Sequence, residues 1–149
     1  MLVKGLLENK PTEIITTTPS TSIHEAMESL ITKGIGCLPV LDGKDLVGII
    51  SDKDIFKRIF ETKGDYHSLT VKDVLTAEVI VGLPDDEIEY ICGIMEKNSI
   101  RHMPIIDGGN MIGIISLRDI IKTQSANTAV ENRYAMDMLA RRDRSGDYR

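Results

Sequence analysis

The chain has 149 residues, of which 42% are hydrophobic and 28% charged, and these proportions are ordinary for a globular protein. Its formal net charge of −5 argues against nucleic-acid binding, because phosphate contacts need clustered lysine and arginine. No apolar run approaches the ~18 residues that a bilayer requires, and the opening residues do not resemble a signal peptide. We therefore expect a cytoplasmic protein that neither binds nucleic acid nor enters a membrane.

An internal repeat organises the chain. A shift of 65 residues places residues 19–57 on 84–122 without a gap. Upstream, residues 3–7 match 71–75 at a shift of 68, so the first copy carries three extra residues near positions 9–12. We expect these segments: a first repeat at 1–60, a linker at 61–70, a second repeat at 71–123, a helix at 124–140 and a flexible tail at 141–149.

Each copy predicts the same elements, which the first copy shows in chain order. Residues 14–16 form a short β-prone run. Ile23, Ala26 and Leu30 follow with the spacing of a helix that is buried on one face, and Gly34 ends it. Residues 38–41 and 46–50 predict two strands joined by a turn, and a second helix begins near Ser51.

The second copy repeats this order, with its β-prone runs at 79–81, 103–106 and 111–115. The fold class is thus α/β, with strand, helix, strand, strand and helix occurring twice. Two helices cannot cover both faces of a three-stranded sheet, so we expect the two repeats to pack sheet against sheet. After the repeats, Val130, Tyr134, Met138 and Leu139 have the spacing of an amphipathic helix.

Several segments resemble the cystathionine β-synthase (CBS) domain family. They are Pro-Ser-Thr-Ser-Ile-His-Glu-Ala at 19–26, Leu-Pro-Val-Leu-Asp at 38–42, Gly-Ile-Ile-Ser-Asp-Lys-Asp-Ile at 48–55, and their counterparts at 101–107 and 113–120. The resemblance spans roughly residues 3–123. It implies two repeats related by pseudo-two-fold symmetry, with clefts between them that hold AMP, ADP, ATP or related adenosyl compounds. It also implies a homodimer.

The motif Ser-x-x-Asp occurs at Ser51 and Asp54, and again at Ser116 and Asp119. In the family the serine contacts phosphate and the aspartate accepts hydrogen bonds from both ribose hydroxyls. A carboxylate has two acceptor oxygens and therefore suits a vicinal diol, whereas a helix N-terminus favours an anion. The alternative is a helix capping box, although that motif prefers Glu or Gln at its last position. The two roles are compatible.

The two copies differ around this motif. In the second copy Arg101 and His102 offer donors to phosphate, and the resemblance assigns Met103 and Pro104 to an apolar wall for adenine. In the first copy the corresponding residues are 36–39, without a basic pair, and Asp52 adds a carboxylate. We predict the main nucleotide site at Ile80 (through its backbone), Arg101, His102, Met103, Pro104, Ser116, Arg118 and Asp119, and a weaker one at Ser51, Lys53 and Asp54.

These residues predict a regulatory module that senses the energy state through an adenine nucleotide and controls a protein partner. Alternatives are a dimerising scaffold without ligand, or a binder of NAD or S-adenosylmethionine. A hydrolase or transferase using His102 with Ser116 or Asp119 is a further alternative, but no Gly-x-Ser-x-Gly motif is present and the repeat already explains these residues. We therefore expect no enzyme activity, no catalytic residues and no metal site.

Overall fold

The structure, a computed structural model, describes residues 1–10, 13–124 and 129–144. Its backbone separates into two units. Glu13–Ile80 form the first-repeat unit, and Met1–Thr12 together with Val81–Arg149 form the second-repeat unit. In chain order the elements are α1 (Val3–Glu8), α2 (Ile23–Lys33), β1 (Cys37–Asp42), β2 (Asp45–Ser51), α3 (Asp52–Glu61), α4 (Val71–Val74), α5 (Ile88–Asn98), β3 (His102–Asp107), β4 (Asn110–Ser116), α6 (Leu117–Gln124) and α7 (Ala129–Arg144).

The first-repeat unit packs α2 against the antiparallel hairpin β1–β2. Helix α2 begins where the Ser22 hydroxyl accepts the Glu25 N–H, and it ends at Gly34, whose φ of 62° lies in the left-handed region that glycine tolerates. The helix buries one face, and its partners on the strands are also fully buried. The core residues are Ile23, Ala26, Leu30, Leu38, Val40, Ile50, Ile55 and Val71.

The second-repeat unit repeats this arrangement with α5 and the antiparallel hairpin β3–β4. Its buried apolar residues include Ile88, Ile91, Met95, Met103, Ile105 and Ile115. The structure confirms the prediction of an α/β fold with two repeats. The predicted packing of one sheet against the other stays a prediction.

The short segment before each repeat belongs to the other repeat's unit. Gly113 on β4 approaches the side chain of Leu7, and a Cβ at Gly113 would lie 2.7 Å from the Leu7 Cδ2 atom. In the first-repeat unit Gly48 approaches Leu75 in the same way, with 2.7 Å to its Cδ1 atom. These contacts explain why residues 1–12 group with the second repeat, and 71–75 with the first, although sequence order suggests the reverse.

The predicted opening strands are wrong. Residues 14–16 and 79–81 are not strands, and pairing with the sheet is reduced to single parallel bridges, Thr17 with Val40 and Gly82 with Ile105. Proline follows each bridging residue at the second position, as Pro19 and Pro84, and a proline has no N–H with which to extend a ladder. Each sheet therefore has two strands, not three.

Two connecting segments also differ from expectation. Residues 61–70, expected to be a linker, lie within the first-repeat unit, where Tyr66 and Leu69 pack against its core. The C-terminal helix α7 runs to Arg144, so residues 141–144 are helical and do not begin a flexible tail. Leu139 is buried, whereas Met138 is half exposed. The side chains of Val130 and Tyr134, and residues 145–149, lie outside what the structure describes.

Within residues 1–10, 13–124 and 129–144, no helix has the length and apolar character that crossing a membrane requires.

Candidate functional site

The second Ser-x-x-Asp motif forms the N-terminus of helix α6. The backbone N–H of Ser116 donates to Asp119 Oδ2 at 2.8 Å, and the backbone N–H of Asp119 donates to Ser116 Oγ at 3.1 Å. This reciprocal pair is a capping box with aspartate in place of glutamate. The Ser116 hydroxyl accepts in this contact.

A lysine from the N-terminal segment reaches this capping box. Lys10 Nζ donates to Asp119 Oδ2 and to the carbonyl oxygen of Ile114, both at 2.6 Å. The two charged side chains are about three-quarters buried, with 27% of Lys10 and 22% of Asp119 exposed. Sequence reasoning missed Lys10, although it lies near the three extra residues of the first copy. That insertion was the available signal.

The Asp119 carboxyl has a lowered pKa. Partial burial raises the pKa, but the hydrogen bond from Lys10, the interactions with the backbone N–H and the hydroxyl of Ser116, and the charge of Lys10 together outweigh it. Asp119 is therefore ionised at neutral pH and acts only as an acceptor.

Arg101 and His102 lie next to this helix terminus. The N–H of Leu117 donates to the Arg101 carbonyl oxygen at 2.8 Å, and His102 is paired with Ser116 in the β3–β4 register. Burial lowers the pKa of His102 to about 4, and the positive charges of Arg101, Lys10 and Arg118 act in the same direction against the weaker effect of Asp119. His102 is thus neutral at pH 7 and presents one donor and one acceptor.

The remaining predicted site residues differ in whether their side chains are buried or exposed. Met103 is completely buried, and its sulfur would lie 3.1 Å from a Cβ at Gly82, so its side chain belongs to the core beside Ile91 and not to an accessible wall. Pro104 lies on the opposite face of β3 and is also buried. Arg118 is exposed on the first turn of α6. Ile80 is the last residue of the first-repeat unit, and its contact with the ligand through the backbone stays a prediction.

The first Ser-x-x-Asp motif forms the same capping box at α3. Ser51 N–H donates to Asp54 Oδ2 at 3.0 Å, and Asp54 N–H donates to Ser51 Oγ at 3.1 Å. Within the part of the chain that the structure describes, Asp54 has no salt bridge, in contrast to Asp119. Asp52 places a second carboxylate on this turn, and its oxygen accepts the N–H of Lys53 at 2.7 Å. The two motifs therefore share a backbone arrangement but differ in charge.

The charge difference follows from the side chains at equivalent positions. Lys10 pairs with Asp119, and the charges of Lys10, Arg101 and Arg118 all act on the neighbouring His102. Around Asp54 the equivalent turn carries Lys53 and a further carboxylate, and Gly36 stands where the second repeat has Arg101. The side-chain charges described are thus more positive around the second motif than around the first.

The repeats define the family of this chain. The sequence model of the CBS domain matches residues 10–61 and 71–126, well over half of the chain, so the protein belongs to the CBS domain family and contains two copies of the domain.

Three similar proteins indicate how such pairs occur. A CBS domain-containing protein of Bacillus subtilis, YhcV, is 30% identical over 84% of this chain and 89% of its own length. Inosine-5′-monophosphate dehydrogenase of Methanocaldococcus jannaschii is 37% identical over 86% of this chain, which spans only 25% of that enzyme. The solved CBS domain pair of protein MJ0100, in complex with 5′-methylthioadenosine and S-adenosyl-L-methionine, has a TM-score of 0.74 and 28% identity, with 86% of this chain and 98% of that chain covered.

Proposed function

We propose that this protein is a regulatory module that binds AMP, ADP or ATP at the N-terminus of α6 in the second-repeat unit and controls a protein partner. The observation that carries the proposal is that Lys10 pairs with the ionised Asp119, while the charges of Lys10, Arg101 and Arg118 all act on the neighbouring His102. A ligand that suits this group has both a diol and an anionic part. A nucleotide has both.

The individual contacts follow from the chemistry of the residues. Asp119 accepts the ribose hydroxyls, since its two oxygens match a vicinal diol. Arg101 contributes charge-assisted hydrogen bonds to the phosphate, and the Ser116 hydroxyl adds a neutral one. Two N–H groups at the start of α6 are already bonded, Leu117 to a carbonyl and Asp119 to the Ser116 hydroxyl. The side-chain cations therefore supply most of the attraction for the anion.

Support for an adenosyl ligand comes from the MJ0100 domain pair, which is similar over most of both chains and was solved with 5′-methylthioadenosine and S-adenosyl-L-methionine. The same similarity favours a second candidate, S-adenosylmethionine itself. Its sulfonium and amino groups are cationic, and the three cations of the second-repeat site disfavour it relative to a phosphorylated nucleotide. NAD remains within the proposed class because it contains an adenosine phosphate.

The proposal assigns no catalytic step to the chain. Ser116 and Asp119 bond to each other, and Asp119 also bonds to Lys10; this arrangement caps a helix without activating a nucleophile. We also propose that the protein acts in the cytoplasm as a homodimer. The apolar faces of α2 and α5 are mostly buried inside each unit, whereas Phe56 and Phe60 on α3 are 77% and 82% exposed.

Thermal unfolding with a panel of ligands tests the proposal. AMP, ADP, ATP, NAD, S-adenosylmethionine and GTP are compared at millimolar concentration, with turnover of each followed in parallel. A ligand at ~100 times its Kd adds about 2.7 kcal/mol of apparent stability. We expect stabilisation by AMP, ADP or ATP, a smaller effect of GTP and no turnover. Stabilisation by S-adenosylmethionine alone would favour the second candidate. If no ligand stabilised the protein, the proposal would be wrong and the alternative of a dimerising scaffold without ligand would be favoured.

A further inference from the structure

The lysine that reaches the capping box has no counterpart in the other repeat. In the first-repeat unit the carbonyl oxygen of Ile49 accepts the backbone N–H of Thr76 at 2.8 Å. At the equivalent carbonyl of the second-repeat unit, that of Ile114, the donor is Lys10 Nζ at 2.6 Å. Lys10 lies near the three extra residues of the first copy, and it provides an ammonium group where the other repeat provides a peptide N–H.

This ammonium occupies the acceptor that a ribose needs. Two donors bond to the same oxygen of the Asp119 carboxylate, Oδ2: the Ser116 N–H at 2.8 Å and Lys10 Nζ at 2.6 Å. A carboxylate oxygen offers about two lone-pair directions, so these two donors fill Oδ2. A vicinal diol that donates to both carboxylate oxygens therefore has to displace Lys10.

We propose that Lys10 is a specificity-determining residue, which closes Asp119 to neutral nucleosides and admits ligands that carry an anion. The inference rests on the proposed nucleotide site. A neutral nucleoside that displaces Lys10 leaves a largely buried ammonium group without its carboxylate, and this cost reduces the affinity. A phosphorylated nucleotide provides the displaced ammonium group with a new anionic partner. The new ion pair offsets the free energy lost when Lys10 leaves Asp119.

The proposal differs from a purely structural role for the Lys10–Asp119 ion pair. A structural ion pair stabilises the fold and changes the affinity for neutral and anionic ligands equally. A specificity-determining lysine changes their ratio. The affinity of AMP divided by the affinity of adenosine is thus the informative quantity, because it cancels any common effect on folding or on the shape of the site.

The experiment is calorimetric titration of AMP and adenosine into the full chain and into three variants. Lys10→Met removes the ammonium group and keeps the length of the side chain, and Lys10→Arg keeps the charge. Lys4→Met is the matched control, since Lys4 lies in the same segment and pairs at 2.8 Å with Asp85, but both side chains are mostly exposed. Urea unfolding of each variant verifies that it is folded.

We expect Lys10→Met to bind adenosine more tightly than the unmodified chain and to lower the AMP-to-adenosine ratio by about tenfold, which corresponds to about 1.4 kcal/mol. Lys10→Arg should retain most of the ratio, and Lys4→Met all of it. A ratio that is unchanged in Lys10→Met, while the unmodified chain binds AMP, overturns the role of Lys10 alone. If the unmodified chain binds neither ligand, the nucleotide site and the role of Lys10 are both overturned.

Discussion

His102 and Ser116 are directly paired across the β3–β4 hairpin, so the imidazole of His102 lies beside the residue that caps helix α6. Burial disfavours the charged form of this imidazole most, and the charges of Arg101, Lys10 and Arg118 disfavour it further. Together with burial, they hold the pKa of His102 at about 4, below its ordinary value of 6.5. The histidine is therefore a neutral hydrogen-bonding group and becomes charged only in acid.

This lowered pKa predicts a specific dependence of stability on pH. Between pH 6.5 and about 4 the unfolded chain binds a proton at residue 102 and the folded chain does not, so the free energy of unfolding falls as the pH falls. The effect reaches about 2 kcal/mol at pH 5, at about 1.4 kcal/mol per pH unit. Above pH 6.5 it vanishes. Urea unfolding at pH 7 and at pH 5 measures it.

The variant His102→Gln isolates the contribution of the histidine from that of the carboxylates. Glutamine does not titrate, so the variant should lose about 2 kcal/mol less than the unmodified protein between pH 7 and pH 5. Identical losses in the two proteins would show that His102 titrates normally in the folded state.

A second prediction concerns the equivalent glycines of β2 and β4. A Cβ at Gly48 would lie 2.9 Å from the backbone oxygen of Thr76 as well as 2.7 Å from Leu75 Cδ1, whereas the three atoms nearest to a Cβ at Gly113 all belong to the flexible side chain of Leu7. Gly48→Ala should therefore cost about 2–3 kcal/mol of unfolding free energy and Gly113→Ala about 1 kcal/mol. Urea unfolding of both variants tests this ranking, and because the two positions match in the repeat, strand propensity cancels. Equal losses would mean that the segment at Thr76 moves as readily as the Leu7 side chain.

Sequence patterns predict much of this fold because each element is encoded twice, once in each copy of the repeat. The apolar spacing of Ile23, Ala26 and Leu30 recurs in α5, and both hairpins follow from strand-forming runs around a turn. The opening strands were overpredicted. Their β-prone residues suit a strand, but only one residue of each segment pairs with the sheet, at Thr17 and at Gly82.

The candidate site was less predictable because it depends on contacts between distant parts of the chain. Ser116 and Asp119 are three residues apart, so their motif is visible in the sequence. Lys10 is 109 residues from Asp119, and it reaches the site only because the segment before the first repeat packs on the second. The burial of Met103 depends in the same way on Gly82 and Ile91, which local spacing does not reveal.

A third prediction concerns association. Phe56 and Phe60 are four residues apart on α3, share one face and are more than three-quarters exposed. We expect a homodimer in light scattering at micromolar concentration, twice the chain mass of 16.5 kDa. Replacing both residues with serine should shift the mass toward the monomer, because exposed aromatic side chains are typical anchors of interfaces. Ile112→Ser, at an exposed apolar position of β4, is the control and should leave the dimer unchanged. A monomer mass for the unmodified protein would contradict the prediction.

A fourth prediction separates recognition of the phosphate from recognition of the nucleoside. Arg101→Ala should weaken AMP binding by about tenfold or more, the effect of losing a charge-assisted hydrogen bond. Adenosine has no phosphate, so its affinity should change little. Titration calorimetry with both ligands measures the difference. Equal losses of affinity for AMP and adenosine would mean that Arg101 stabilises the fold or contacts the base and does not bind the phosphate.

The final prediction ranks the two Ser-x-x-Asp motifs. Asp119→Ala and Asp54→Ala each remove a capping-box hydrogen bond, at 2.8 Å and 3.0 Å, which should cost each variant about 1 kcal/mol of stability. Asp119→Ala should lose more, because it also leaves the largely buried ammonium group of Lys10 without its carboxylate. Only Asp119→Ala should also remove two charge-assisted contacts to the ribose, on the order of 3 kcal/mol, which is roughly a hundredfold in AMP affinity. Unfolding and titration of both variants decide between capping and ligand binding. Equal affinity losses would make the two sites equivalent, and an unchanged affinity in Asp119→Ala would leave Asp119 as a helix cap alone.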